Sequence, residues 1–162
     1  MSINNPASEG EKFALRGEKI ALFMHEILFA YQKSMREILG SGSAVFLHPT
    51  LDTLNKINKQ ARKSLTEGKN IDQIFGILAK TFSNTGIVKE LRFEKIAPKK
   101  YVLYVNGCVW APHIHNNLKP KELICPFALI AMAVFGDVTK SKVKTVDSEY
   151  LENGSRTEIG SL

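Results

Sequence analysis

Ile87-Val-Lys-Glu-Leu-Arg-Phe-Glu-Lys-Ile-Ala-Pro-Lys-Lys-Tyr-Val-Leu-Tyr-Val-Asn-Gly-Cys-Val-Trp110 is where the periodicity of this chain changes. Before it, apolar residues recur mostly every three or four positions, as on a buried helix face. Within it they begin to alternate. Ile87–Ile96 reads as a strand, Ala97-Pro-Lys-Lys100 as a turn, and Tyr101–Trp110 as a returning strand rich in Val and Tyr. A hairpin entered from helices means an α+β chain.

Working outward toward the N-terminus, residues 1–9 read as a loose leader. From about Glu11 to Leu39 the pattern is helical, with Ile20, Phe23, Met24, Ile27, Leu28, Tyr31, Met35, Ile38 and Leu39 in sequence, and Gly40-Ser-Gly42-Ser43 stops it. Ala44–His48 is a connector. Pro49 opens a second helix over about Thr50–Leu65, ended by Gly68, and Asn70 is the expected cap of a third over Ile71–Phe82. Toward the C-terminus, a loop over Ala111–Ile124 is followed by the apolar run of Phe127-Ala-Leu-Ile-Ala-Met-Ala-Val-Phe135. Opened by Pro126 and closed by Gly136, that run reads as a buried helix. Two strands, about Val143–Leu151 and Arg156–Ile159, close the chain around Glu152-Asn-Gly-Ser155, and Asn153-Gly154 is a strong hairpin signal. The expected fold is N-terminal helices packed on a small antiparallel sheet, with a metal-binding loop before a buried C-terminal helix. One domain spans 1–162, its helical part at 11–85 and the sheet, loop and buried helix at 86–162.

The chain has 162 residues, 44% of them apolar, enough for a sizeable core. The apolar run 127–135 is far shorter than a membrane span. The polar N-terminus lacks a secretory signal, so a cytoplasmic protein is expected. The net charge of +6 raises nucleic-acid binding. The basic residues are scattered, however, at Lys56, Lys59, Arg62, Lys63 and Lys69, at Lys95, Lys99 and Lys100, and from Lys140 to Lys144, with no helix-turn-helix or aromatic-basic motif.

The chemistry concentrates in Cys108-x4-His113-x-His115-x9-Cys125, which holds both cysteines of the chain. Two thiols and two imidazoles make a full tetrahedral ligand set. In an extended loop His113 and His115, two apart, point the same way. Cys125, just before Pro126, would cap the buried helix, where the dipole favours thiolate. Zinc is the first expectation and iron the second. With four ligands the site is closed and structural, and with a histidine free it is open. The competing readings are plain buried cysteines or a Cys108–Cys125 disulfide.

A deaminase pairs His-x-Glu with Pro-Cys-x-x-Cys. Pro112-His-Ile-His115 and Cys125-Pro-Phe-Ala128 supply neither, which leaves Glu122 as the only nearby general base. Cys-x-x-Cys redox chemistry is absent. His48 reads as a cap or surface residue, and His25 as a residue bordering an apolar stripe.

The order of elements resembles the four-vinyl reductase domain family, also called hydrocarbon-binding or small-molecule-binding domains. The resemblance rests on the hairpin ending near Cys108, on Cys125-Pro-Phe-Ala-Leu129 opening a short apolar helix, and on the closing stretch Thr145-Val-Asp-Ser-Glu-Tyr150. Nothing after Cys125 is a cysteine, so His113-x-His115 stands in for the family's late cysteine pair. The short, Lys- and Ile-rich chain is similar to archaeal stand-alone members. The resemblance implies a non-enzymatic binding or sensor domain for a small hydrophobic molecule beside a metal. The expected pocket lies between the helix of Phe23, Ile27 and Tyr31 and the helix of Phe127, Ile130 and Val134, with Trp110 as a wall. The alternatives are a zinc-dependent enzyme acting on a small polar substrate and a nucleic-acid-binding domain. A homodimer is expected through the long first helix, because Leu22 and Phe29 lie off the line through Met24, Leu28, Tyr31 and Met35. No membrane association is expected.

Overall fold

The computed structural model describes residues 9–39, 45–60, 65–118, 123–144 and 146–162, without the side chains of 9–18, 21 and 117. Alternation at the centre of the chain produces the expected hairpin. β1 (Glu90–Ala97) pairs antiparallel with β2 (Lys100–Asn106), from Glu90↔Asn106 to Ala97↔Lys100. Leu91, Tyr101, Leu103 and Val105 are buried on the inner face. On the outer face the Arg92 guanidinium lies 4.3 Å over the ring of Tyr104, its cross-strand neighbour. Lys99 takes the left-handed position of the turn at φ 57°.

β2 ends sooner than Trp110. Gly107, at φ 61°, turns the chain out of the ladder, and Cys108 sends its N–H to the Asn153 carbonyl at 3.0 Å. The expected extended loop over 111–124 is helical where it begins. Ala111–Ile114 forms a single turn, α4, and His115–Asn117 continues it as a 3-10 turn. Pro112 sits near the start of α4, where its missing N–H costs nothing.

β5 (Gly154–Ser161) is the central strand. One edge pairs with β2 along Gly154–Gly160. The other carries two short strands end to end, β4 (Glu149–Leu151) and β3 (Val143–Lys144). The expected single strand 143–151 is interrupted because Ser148 turns its N–H to the Leu123 carbonyl at 2.9 Å instead of joining the ladder. The turn before β5 is Glu152-Asn153, since Leu151 already pairs with Gly154. Neither turn residue has a positive φ, so Asn-Gly does not act here as a left-handed turn.

The remaining helices are α1 (Glu9–Leu39), α2 (Leu47–Gln60), α3 (Ile71–Ser83) and α5 (Pro126–Thr139). Asn70 caps α3 as expected, its side chain accepting the Gln73 N–H at 3.0 Å. α2 begins before Pro49, which is tolerated in a first turn, and residues 61–64 at its expected end lie outside the described residues. α5 runs through Gly136 to Thr139. A Cβ at Gly136 would stand 2.6 Å from Val143 Cγ2, so the glycine there admits β3 rather than stopping the helix. Phe127, Ala128, Leu129 and all of Ala131–Phe135 are buried. A helix apolar all round must be covered all round, and α5 packs against α2, α3 and the sheet. The fold is α+β, with helices in the N-terminal half, a five-stranded antiparallel sheet and a C-terminal helix. No helix among the described residues is long and apolar enough to cross a membrane.

Candidate functional site

Both cysteines lie inside the protein, in one core cluster. Both are free thiols, 7% and 5% exposed. They are close enough that charge on Cys108 disfavours charge on Cys125. Each sulfur faces backbone N–H groups at the start of a helix: those of Trp110 and Ala111 at Cys108, and those of Phe127 and Ala128 at Cys125. These donors favour thiolates, but burial outweighs them and pushes both thiols up. The expectation that the helix start would favour the Cys125 thiolate is corrected here: desolvation of a charge exceeds the pull of the dipole.

A buried polar chain surrounds Cys125. Its N–H donates to Ser148 Oγ at 2.8 Å, and Ser148 Oγ lies 2.6 Å from Thr157 Oγ1. The Ser155 hydroxyl is buried without a well-formed hydrogen bond among the described residues. It faces the Cys125 thiol and favours its ionisation. One residue earlier, Gln32 of α1 pairs with both backbone groups of Ile124, each at 3.0 Å. Arg36 forms an ion pair with Asp147. These contacts set the rotation of α1, turning His25, Phe29 and Gln32 inward.

The helical turn at 111–117 sets the two histidines apart. Successive helical residues step about 100°, so residues two apart point away from one another. In the turn at 111–117 His113 is exposed and His115 half-buried. His115 Nδ1 sits 2.8 Å from the Leu151 carbonyl, with its ring edge-on to Tyr150 at 4.7 Å. Among the described residues no three or more of His, Cys, Asp and Glu are grouped as metal ligands. The thiols of Cys108 and Cys125 suit zinc by their chemistry. Glu122 lies outside the described residues.

His25, read from sequence as a border residue, is buried instead. Its ring lies 4.8 Å from both Phe29 and Trp110. The only signal for this in the sequence was its place four residues before Phe29. Burial, with His115 nearby, holds its pKa down at about 4, against 6.5 when unfolded. The folded protein therefore binds fewer protons than the unfolded chain between these values. The contribution to stability is complete above pH 6.5 and is lost as pH falls toward 4. Between pH 6.5 and 5 the loss is about 2 kcal/mol. Urea unfolding across this window should show it, and His25→Phe should flatten most of the slope. An equally steep slope in His25→Phe would rule out His25 as its source.

A cavity of about 230 Å³ lies between α1, α2 and α5. Leu28, Leu54, Ile57, Pro126, Leu129 and Ile130 line it, with Thr50 and Thr53 as its polar groups. Of the side chains expected around a ligand, Ile130 is here. Phe23 and Tyr31 are exposed and Ile27 is half-buried. Trp110 packs on His25, Phe127 lies edge-on to Phe82 at 5.2 Å, and Val134 is sealed in the core. The rotation of α1 explains the difference, since it presents Leu28 to the cavity in place of Phe23 and Tyr31. A cleft of about 310 Å³ between α3 and the sheet has a mixed lining. Its polar groups satisfy one another: Tyr101 donates to Asp72 Oδ1 at 2.6 Å and Lys95 to Asp72 Oδ2 at 3.0 Å. His48, exposed on α2, contacts Asp52 at 3.1 Å.

No protein-family model, curated protein or solved structure matches this chain.

Proposed function

We propose that this protein is a binding module for a small, largely apolar molecule, seated between α1, α2 and α5. The observation that carries this reading is the apolar cavity there. Its volume is below the roughly 300 Å³ at which pockets for drug-sized ligands begin, so the ligand is small. Thr50 and Thr53 offer hydroxyls to orient one polar group. The same function follows from the resemblance to four-vinyl reductase domains, and membership of that family is part of the proposal. Basic residues on the sheet face carboxylates, as in Lys100–Glu158, Lys95–Asp72 and Arg92–Glu94, which favours this reading over a nucleic-acid surface.

Zinc is the second part of the proposal. Cys108 and Cys125 would hold it, and His113 or His115 would join only if the helical turn at 111–117 opened. Bound zinc would contribute to folding rather than to a reaction.

One set of preparations tests both parts. Native mass spectrometry of untagged protein should show a retained small molecule and one zinc per chain, with Cys125→Ser losing the metal. The hydrophobic dye 1-anilinonaphthalene-8-sulfonate should bind the ligand-free protein at one site. Ile130→Trp, which fills the cavity, should abolish dye binding while leaving the fold intact. Dye binding unchanged in Ile130→Trp would reject the cavity as the site. Folded, metal-free protein would reject zinc.

A further inference from the structure

β1 is an open edge of the sheet. Among the described residues it pairs on one side only, with β2. Ser83, at the end of α3, shows where the free side lies, because its hydroxyl accepts the Leu91 N–H at 3.1 Å. Backbone groups alternate between the two sides of a strand, so the N–H and C=O of Phe93 face the same way as the Leu91 N–H. No group among the described residues bonds to them. The cleft of about 310 Å³ lies along this free side. Phe75, Gly76 and Ala79 of α3 form one wall and Leu91, Phe93 and Lys95 of β1 the other. The rings of Phe75 and Phe93, with centroids 4.0 Å apart, join the two walls. Gly76 is exposed, and a Cβ there would meet nothing within 4 Å.

Edge and cleft together define the occupant. Donors and acceptors spaced along a free strand edge are matched by the backbone of another extended chain. In an added strand, the residue opposite Phe93 points to the same face of the sheet as Phe93. That face is the one under α3, so its side chain enters the cleft beside Gly76. A second copy of this chain fits less well. Its own Leu91 and Phe93 are already packed under its own α3, so pairing two β1 edges would leave both clefts unfilled. The charges along the edge are paired within the chain: Arg92 with Glu94 at 3.1 Å, Lys95 with Asp72 at 3.0 Å, and Glu90 accepting from Asn106 at 3.1 Å. Neither sign is left to attract an opposite one, so the complementary segment is uncharged. We infer that β1 is a docking edge for an extended, uncharged segment of another protein, which adds to the sheet as a strand and sends alternate apolar side chains into the cleft under α3.

The Phe93 amide gives the test. In the free protein its hydrogen exchange, followed by nuclear magnetic resonance, should be fast, while the amides of Arg92 and Glu94, which face β2, exchange slowly. Random heptapeptides displayed on phage should yield uncharged binders with apolar residues at alternate positions. Binding of a selected synthetic peptide should slow exchange at Phe93 by about tenfold or more. Gly76→Leu, an exposed change that fills the cleft, should weaken that peptide by about tenfold or more with unaltered far-UV circular dichroism. Slow exchange at Phe93 in the free protein would overturn the proposal: if it persists on dilution the chain covers its own edge, and if it is lost on dilution a second copy does. A library that yields no binder would also overturn it, as would a selected peptide that leaves Phe93 exchanging fast or binds Gly76→Leu equally well.

Discussion

Phe135→Ala is expected to lower the unfolding free energy by about 3–5 kcal/mol, the usual range for removing a buried phenylalanine. Phe135 lies on α5 at 0% exposure, edge-on to Tyr101 with ring centroids 6.1 Å apart. Its neighbours belong to elements that cannot close around a void. β2 is held on both edges, by β1 and β5, and α5 is wedged between α2 and the sheet. The loss is therefore transfer energy plus an unrelaxed cavity. At roughly 2–4 °C per kcal/mol for a domain of this size, the melting temperature should fall by about 10 °C. Urea unfolding followed by circular dichroism measures it. A loss under about 1 kcal/mol would mean that α5 is not the centre of the core.

Gly154→Ala should be about as damaging, for a different reason. A Cβ at this position would lie 1.8 Å from the Val105 carbonyl oxygen and 2.8 Å from its carbon. Those atoms are backbone, fixed in the β2–β5 ladder, where Val105 pairs with Ser155 and Asn106 with Gly154. No rotamer change relieves the contact, so the strands must separate at this end. The expected cost is about 3 kcal/mol or more, at the upper end of overpacking penalties. By contrast, a Cβ at Gly76, in the middle of α3, meets nothing within 4 Å. The adjacent Ser155 faces Cys125, so opening the ladder at Gly154 should also disturb the thiol pair. Faster labelling of both buried cysteines by a thiol reagent in Gly154→Ala would register this. Labelling as slow as in the unaltered protein would separate the strand end from the thiol site.

Local pattern was enough to read the four long helices and the central hairpin. The change of period at Ile87 marked where helices give way to strands. The unbroken apolar run 127–135 required a helix covered on every side, and Asn70 announced a cap. Each of these depends on neighbours a few residues away. Both cysteines were legible as a pair because they bracket His113-x-His115, one near the end of an apolar strand run and the other just before Pro126.

Other features were settled between residues far apart in the chain. α1 carries apolar residues on two sides, and nothing local says which side is buried. Gln32 bonding to Ile124, 92 residues away, and Arg36 pairing with Asp147, 111 residues away, turn the His25–Phe29 side inward. That rotation leaves Phe23 and Tyr31 outside and brings Leu28 to the cavity. At 111–117 the residues permit either an extended loop or a helical turn, and the choice between them sends His113 and His115 apart. At Cys125 the helix start and the desolvated surroundings act in opposite directions on the thiol. Sequence shows the first, while the second exists only once α5, the sheet and the 123–125 segment have closed around the sulfur.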